Sequence, residues 1–126
     1  FWWQGDRDSR DLGLTEQYEL NLVALIKQLR TQYNAPNAPF VTASLGQSTL
    51  PTPAVPCGGN CGGGILQAML NVANSEKYPE FKGNVAAVDS HKFSEGSSSG
   101  SHYGGDARTY MNIGQAMGAA MVEMLK

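Results

Sequence analysis

Phe40-Val41-Thr42-Ala43-Ser44-Leu45 is short, apolar and partly β-branched, with Pro39 before it and Gly46 after it. That is how a short buried strand reads. On its amino side, Thr15 to Tyr33 repeats Tyr18, Leu22, Leu25, Ile26, Leu29 and Tyr33 at three- and four-residue steps. One apolar stripe at that period predicts a helix. Thr15 is the expected N-cap, Glu16 and Glu19 sit in the positive first turns, and Lys27 and Arg30 lie near the negative end. Asn34, Pro36 and Pro39 stop it. On the carboxyl side runs a long loop, Gly46 to Gly64, with Pro51, Pro53, Pro56 and six glycines. Ile65 to Asn74 is then a second expected helix, with Ile65, Leu66, Met69, Leu70 and Val72 as its apolar side.

The same alternation continues. Tyr78 to Gly83 reads as a turn and Asn84-Val85-Ala86-Ala87-Val88-Asp89 as a second apolar strand. A Gly/Ser-rich loop from Ser90 to Gly105 leads to a last helix, about Asp106 to Leu125, striped by Tyr110, Ile113, Met117, Met121 and Leu125. Gly114 and Gly118 lie four apart on that helix and predict close packing against a sheet. Phe1-Trp2-Trp3 reads as the end of a buried strand whose earlier sequence lies before Phe1. Strand and helix alternating in this way imply parallel strands joined by right-handed helical crossovers. The expected architecture is half of an α/β sandwich.

The 126 residues suit one domain. With 9 Lys+Arg against 11 Asp+Glu the formal charge is −2, which gives no electrostatic footprint for nucleic acid or an anionic membrane. No apolar run approaches the ~20 residues that span a bilayer. Glycine is the outlier, 15 residues or about 12%, against a usual ~7%. Ten of the 15 fall in the loops Gly46 to Gly64 and Asp89 to Gly105. Parallel sheets carry their working residues beyond the carboxyl ends of the strands, and these two loops, with Gln4 to Leu14, lie there. A loop without function is the competing reading of the same composition.

His102, just before the last helix, is the most informative titratable residue, an imidazole that can act as base or acid near neutral pH. A surface histidine is the plainer alternative. His91, beside Lys92, reads as structural. Gln4 and Gly5 sit at a strand tip, where an amide can donate to a developing oxyanion. The mixed Asp and Arg charges from Asp6 to Asp11 read as a self-neutralising solvated loop rather than a cation site. Cys57 and Cys61 are too few for a tetrahedral zinc site, so no metal or cofactor is expected. A short-loop disulfide suits an oxidising compartment, and two free thiols are the alternative. Gly46-Gln47-Ser48 lacks the second glycine of a nucleophile elbow, because position 50 is Leu50.

Several blocks, in order, carry a family resemblance. They are Phe1-Trp2-Trp3-Gln4-Gly5-Asp6; Tyr18, Asn21-Leu22, Leu25-Ile26 and Leu29-Arg30; Ala38-Pro39-Phe40-Val41; Tyr78-Pro79-Glu80-Phe81-Lys82-Gly83-Asn84-Val85; and His102-Tyr103, Thr109-Tyr110, Gly114, Met117-Gly118 and Met121. Together they resemble the carbohydrate O-acetylesterases of the sialate O-acetylesterase type, in the SGNH-hydrolase superfamily. They match the C-terminal part of that family's domain. The resemblance implies a flavodoxin-like three-layer α/β/α fold, here incomplete, and hydrolysis of acetyl esters on sugars. It implies a serine nucleophile activated by a histidine, with His102 matching that histidine and Gln4 and Gly5 matching the oxyanion block.

The chain departs from the pattern twice. The family's G-x-S nucleophile block stands near its N-terminus, after the first strand, and is absent here; Ser48 comes after the Gln-Gly block. Many relatives place an acid three residues before the histidine, where this chain has Ser99; Asp89, at the end of the preceding strand, could orient the imidazole instead, though no motif marks it for that role. As written the triad is incomplete, and without its nucleophile it keeps little covalent catalysis. The expectations are therefore an esterase fragment acting on acetylated carbohydrate, with the sheet completed by an N-terminal half or another chain, or a non-catalytic scaffold subunit (a pseudoenzyme). A sugar-binding module using Trp2, Trp3, Tyr103 and Tyr110 is a third reading. A secreted, periplasmic or lumenal location is expected.

Overall fold

The computed structural model of the chain describes residues 1–48, 61–94 and 101–126, with the side chains of Ser101 and His102 outside the description. In chain order its elements are α1 (Leu12–Gln32), β1 (Phe40–Ala43), α2 (Gly62–Val72), β2 (Val85–Val88) and α3 (Ala107–Met124). Short 3-10 turns stand at Asp8–Arg10, Pro79–Phe81, His91–Phe93 and Ser101–Gly105. β1 and β2 run parallel, from Phe40 opposite Val85 to Ala43 opposite Val88.

Side chains of a strand alternate between faces, and the two faces here meet different helices. Phe40, Val85 and Ala87 join Trp2 and the buried Tyr18, Leu22, Ile26, Ile65, Met69 and Phe81 in a core made with α1 and α2. Val41, Ala43, Ala86 and Val88 join Trp3 and pack on Ile113, Met117 and Met121 of α3. Parallel strands with helices on both faces are the expected α/β arrangement.

The expected first strand is a correction. Among the described residues two strands form, and Phe1 to Trp3 contributes a single parallel bridge, Trp2 to Thr42. The Trp2 N–H donates to the Val41 carbonyl at 2.8 Å and its carbonyl accepts from the Ala43 N–H at 2.9 Å. Thr42 also pairs with Ala87, so Trp2 occupies the opposite edge of β1. Phe1 is 69% exposed, and beyond Trp3 the chain reaches Gly5, whose φ of +142° ends the extended run.

Helix limits shift for local reasons. α1 begins earlier, because the Asp11 carboxylate accepts the Leu14 N–H at 3.0 Å and is the N-cap in place of Thr15. The Thr15 hydroxyl instead donates to the Asp8 and Asp11 carbonyls. Of the predicted stripe, Tyr18, Leu22 and Ile26 are buried, whereas Tyr33 is exposed and Arg30 is buried. Gly62 to Gly64 belong to α2 rather than to the loop before it. Asp106 caps α3 as expected, accepting the Arg108 N–H at 2.9 Å. Gly114 and Gly118 do not pack closely: a methyl group at either would meet nothing within 4 Å.

Candidate functional site

The Trp2 bridge is parallel, so Gln4 and Gly5 leave the sheet at the same end as Ser44–Ser48 after β1 and Asp89–Ser94 after β2. Gly5 is buried, and a Cβ there would come within 2.8 Å of Ile65 Cγ2. The Gln4 carbonyl accepts from the Tyr18 hydroxyl at 2.8 Å, and that hydroxyl in turn accepts from the Trp2 indole N–H at 3.1 Å. The Gly5 carbonyl accepts from the Ser9 N–H at 2.8 Å. With both carbonyls engaged the tip is fixed, while the Gly5 N–H donates to none of the described residues. The Gln4 side-chain amide donates to Asp8 Oδ2 at 2.7 Å.

Behind this tip the ends of β1 and β2 are joined by hydroxyls. The Ser90 hydroxyl donates to the Ser44 carbonyl. The Ser44 hydroxyl accepts the Ser90 N–H at 3.0 Å and lies 3.5 Å from Asp89 Oδ1. Asp89 Oδ1 also accepts the His91 N–H at 3.1 Å, so this carboxylate holds its own loop. His91 Nδ1 lies 2.7 Å from the Gly46 carbonyl. A carbonyl only accepts, so Nδ1 donates this bond.

The turn Ser101–Gly105 carries His102, whose side chain lies outside the description. Its neighbour Tyr103 reaches the same edge: its hydroxyl accepts the Gly46 N–H at 3.0 Å. The Tyr103 ring stacks on Trp3, with centroids 5.9 Å apart, and meets Tyr110 edge-on at 5.7 Å. Burial raises the Tyr103 phenol above its ordinary value, against the opposing pull of the Gly46 N–H. The hydroxyl therefore stays protonated at neutral pH.

The structure thus brings Gln4, Gly5, Asp89 and the backbone of the His102 turn to one edge of the sheet. The described contacts of Asp89 are with Ser44 and His91 rather than with another imidazole. Ser48 is 1% exposed, and its hydroxyl has no hydrogen-bond partner, and so no base, among the described residues. Cys61 is disulfide-bonded; the chain's one other cysteine is Cys57, outside the described residues, as is Ser99. Tyr103 and Gly46 carried no positional signal in the sequence beyond lying next to His102 and at a strand end. Trp3 and Tyr103, candidates for sugar stacking, stack on each other.

No helix among the described residues is long and apolar enough to cross a membrane. A family model described as a carbohydrate esterase, sialic acid-specific acetylesterase, matches residues 1–123. No curated protein and no solved structure matches the chain.

Proposed function

Because the chain belongs to the sialic acid-specific acetylesterase family of carbohydrate esterases, we propose that it is the carboxyl-terminal part of an enzyme that removes O-acetyl groups from sugars. In this reading the full domain is a three-layer α/β/α sandwich of the SGNH-hydrolase kind. The nucleophilic serine comes from outside residues 1–126. His102 takes the serine proton as the hydroxyl attacks the acetyl carbonyl, and returns it to the sugar oxygen as that group leaves. Water, activated by the same imidazole, then releases acetate. The Gly5 N–H and the Gln4 amide receive the oxyanion, and Asp89 orients the edge on which His102 works.

The observation that best supports this is the Gly5 N–H. It is a donor on a buried, rigid strand tip, at the same edge as the His102 turn and without an acceptor among the described residues. Preorganised donors of that kind stabilise developing charge at no cost of reorganisation. The Cys61 disulfide supports a secreted, periplasmic or lumenal location.

A second reading, an esterase-like scaffold subunit without catalysis, draws on the first segment. Its single bridge to β1 leaves an outer edge unpaired among the described residues, and such edges call for a covering strand. Acetate release from O-acetylated sugars, O-acetylated sialic acid included, by the protein together with the segment that supplies its serine tests both. Turnover that disappears in His102→Ala supports the esterase; a folded protein that releases no acetate supports the scaffold. Undiminished turnover in His102→Ala sinks the proposed role of that residue.

A further inference from the structure

Tyr103, Gly104 and Gly105 hold φ angles of +57°, +64° and +77° in succession. Glycine adopts that region freely, but a residue with a side chain stays there only when its surroundings hold it. Tyr103 is held on three sides. Trp3 stacks on its ring at an interplanar angle of 17°, Tyr110 meets it edge-on, and the Gly46 N–H is bonded to its hydroxyl. Trp3 is itself fixed by its indole N–H, which donates to the Ser44 carbonyl at 2.9 Å.

Gly46 is fitted to receive this hydroxyl. His91 Nδ1 holds its carbonyl at 2.7 Å while Tyr103 takes its N–H. A Cβ at Gly46 would overlap the Ser94 hydroxyl and come within 2.6 Å of Tyr103 Cε1. The turn is tied at its other end as well, because the Tyr103 carbonyl accepts from the N–H of Asp106, the cap of α3.

We propose that the Tyr103–Gly46 contact is a latch that positions the His102 turn against the carboxyl edge of the sheet, which makes Tyr103 a positioning residue for the esterase. The latch carries the loop after β1, through its backbone, to the residue next to His102. Its catalytic consequence rests on the reading of His102 given above; its mechanical consequence does not.

Tyr103→Phe tests it, because the ring and its stacking remain while the acceptor for Gly46 is lost. Two measurements are made on the protein together with the segment that supplies its nucleophilic serine, steady-state hydrolysis of an O-acetylated sugar and residue-resolved amide hydrogen exchange, with His102→Ala alongside. The expected result is a kcat for Tyr103→Phe about tenfold lower, with KM within about twofold, as for a misplaced catalytic group. Exchange should quicken at Gly46 and at residues 101–105 while the α1 core amides keep their protection. A Tyr103→Phe protein with the wild-type kcat, where His102→Ala is inactive, overturns the positioning role. Should His102→Ala retain turnover, or the wild type show none, the catalytic reading fails and exchange alone decides the latch. Faster exchange at 101–105 then sustains it, and unchanged exchange overturns it.

Discussion

The Arg30 guanidinium donates to both oxygens that Asn84 offers, its carbonyl at 3.1 Å and its side-chain Oδ1 at 2.8 Å. The same group donates to the Ala38 carbonyl at 2.7 Å and lies 5.3 Å from the centre of the Phe81 ring. Asn84 also accepts the Phe40 N–H at 2.9 Å. One buried cation from α1 therefore closes the entry to both strands, at the end of the sheet opposite the candidate site.

Arg30→Met leaves the Ala38 and Asn84 oxygens without their donor and is expected to cost about 2–3 kcal/mol in urea unfolding. Arg30→Lys should recover only part, because an ammonium cannot reproduce the planar fork. A Met variant as stable as the wild type would show the clamp to be ornamental.

Glu19 gives the fold a pH dependence at both ends. Burial pushes its carboxyl up, but Lys77 at 2.6 Å, Tyr78 at 2.6 Å and Asn71 at 2.7 Å together outweigh that and hold it below the usual value. A depressed folded pKa gives stability that is complete above the unfolded value, about 4.3, and lost as pH falls through the lower folded one. Melting temperature should fall more steeply with acid in the wild type than in Glu19→Gln.

At the alkaline end the sign reverses. The hydrogen bond to Glu19 comes first in pushing the Tyr78 phenol up to about 12, and burial does the same for Tyr18. Their stability is complete below about 10 and lost as pH rises through about 12. Phenolate absorbance should show these two among the late-titrating members of the chain's five tyrosines.

Gly5→Ala combines a φ of +142° with a Cβ 2.8 Å from Ile65 Cγ2, and overpacking of this kind costs about 1–3 kcal/mol. Adding Ile65→Leu removes the β-branch methyl that the new Cβ would meet and should relieve the clash without removing the backbone strain. Denaturation midpoints of the single and double variants will separate the two. Equal stability of Gly5→Ala and wild type would mean that the tip moves freely, against its proposed role.

Elements set by local pattern were legible in the sequence. β1, β2, α2 and α3 lie where β-branched runs and three- and four-residue spacing put them, within a few residues. Features set by distant partners were not. Arg30 reads as a charge near a helix end until Asn84, 54 positions on, is brought beside it. Phe1 to Trp3 has the composition of a strand, but whether it pairs along its length depends on neighbours that composition does not name. At the site, Gln4, Gly5 and Asp89 were placed at the correct end of the sheet because strand ends can be read from sequence. The Tyr103–Gly46 contact spans 57 positions, and no period or motif announces it.

Among the described residues, α3 is the one helix that covers Val41, Ala43, Ala86 and Val88. That face has a single lid, and α1 and α2 cannot substitute for it from the other side. When α3 lifts, the whole face is wetted at once, and the Asp106 tie pulls on the turn that carries His102. Local breathing of this helix and transient displacement of that turn are thus the same excursion, with one opening free energy between them.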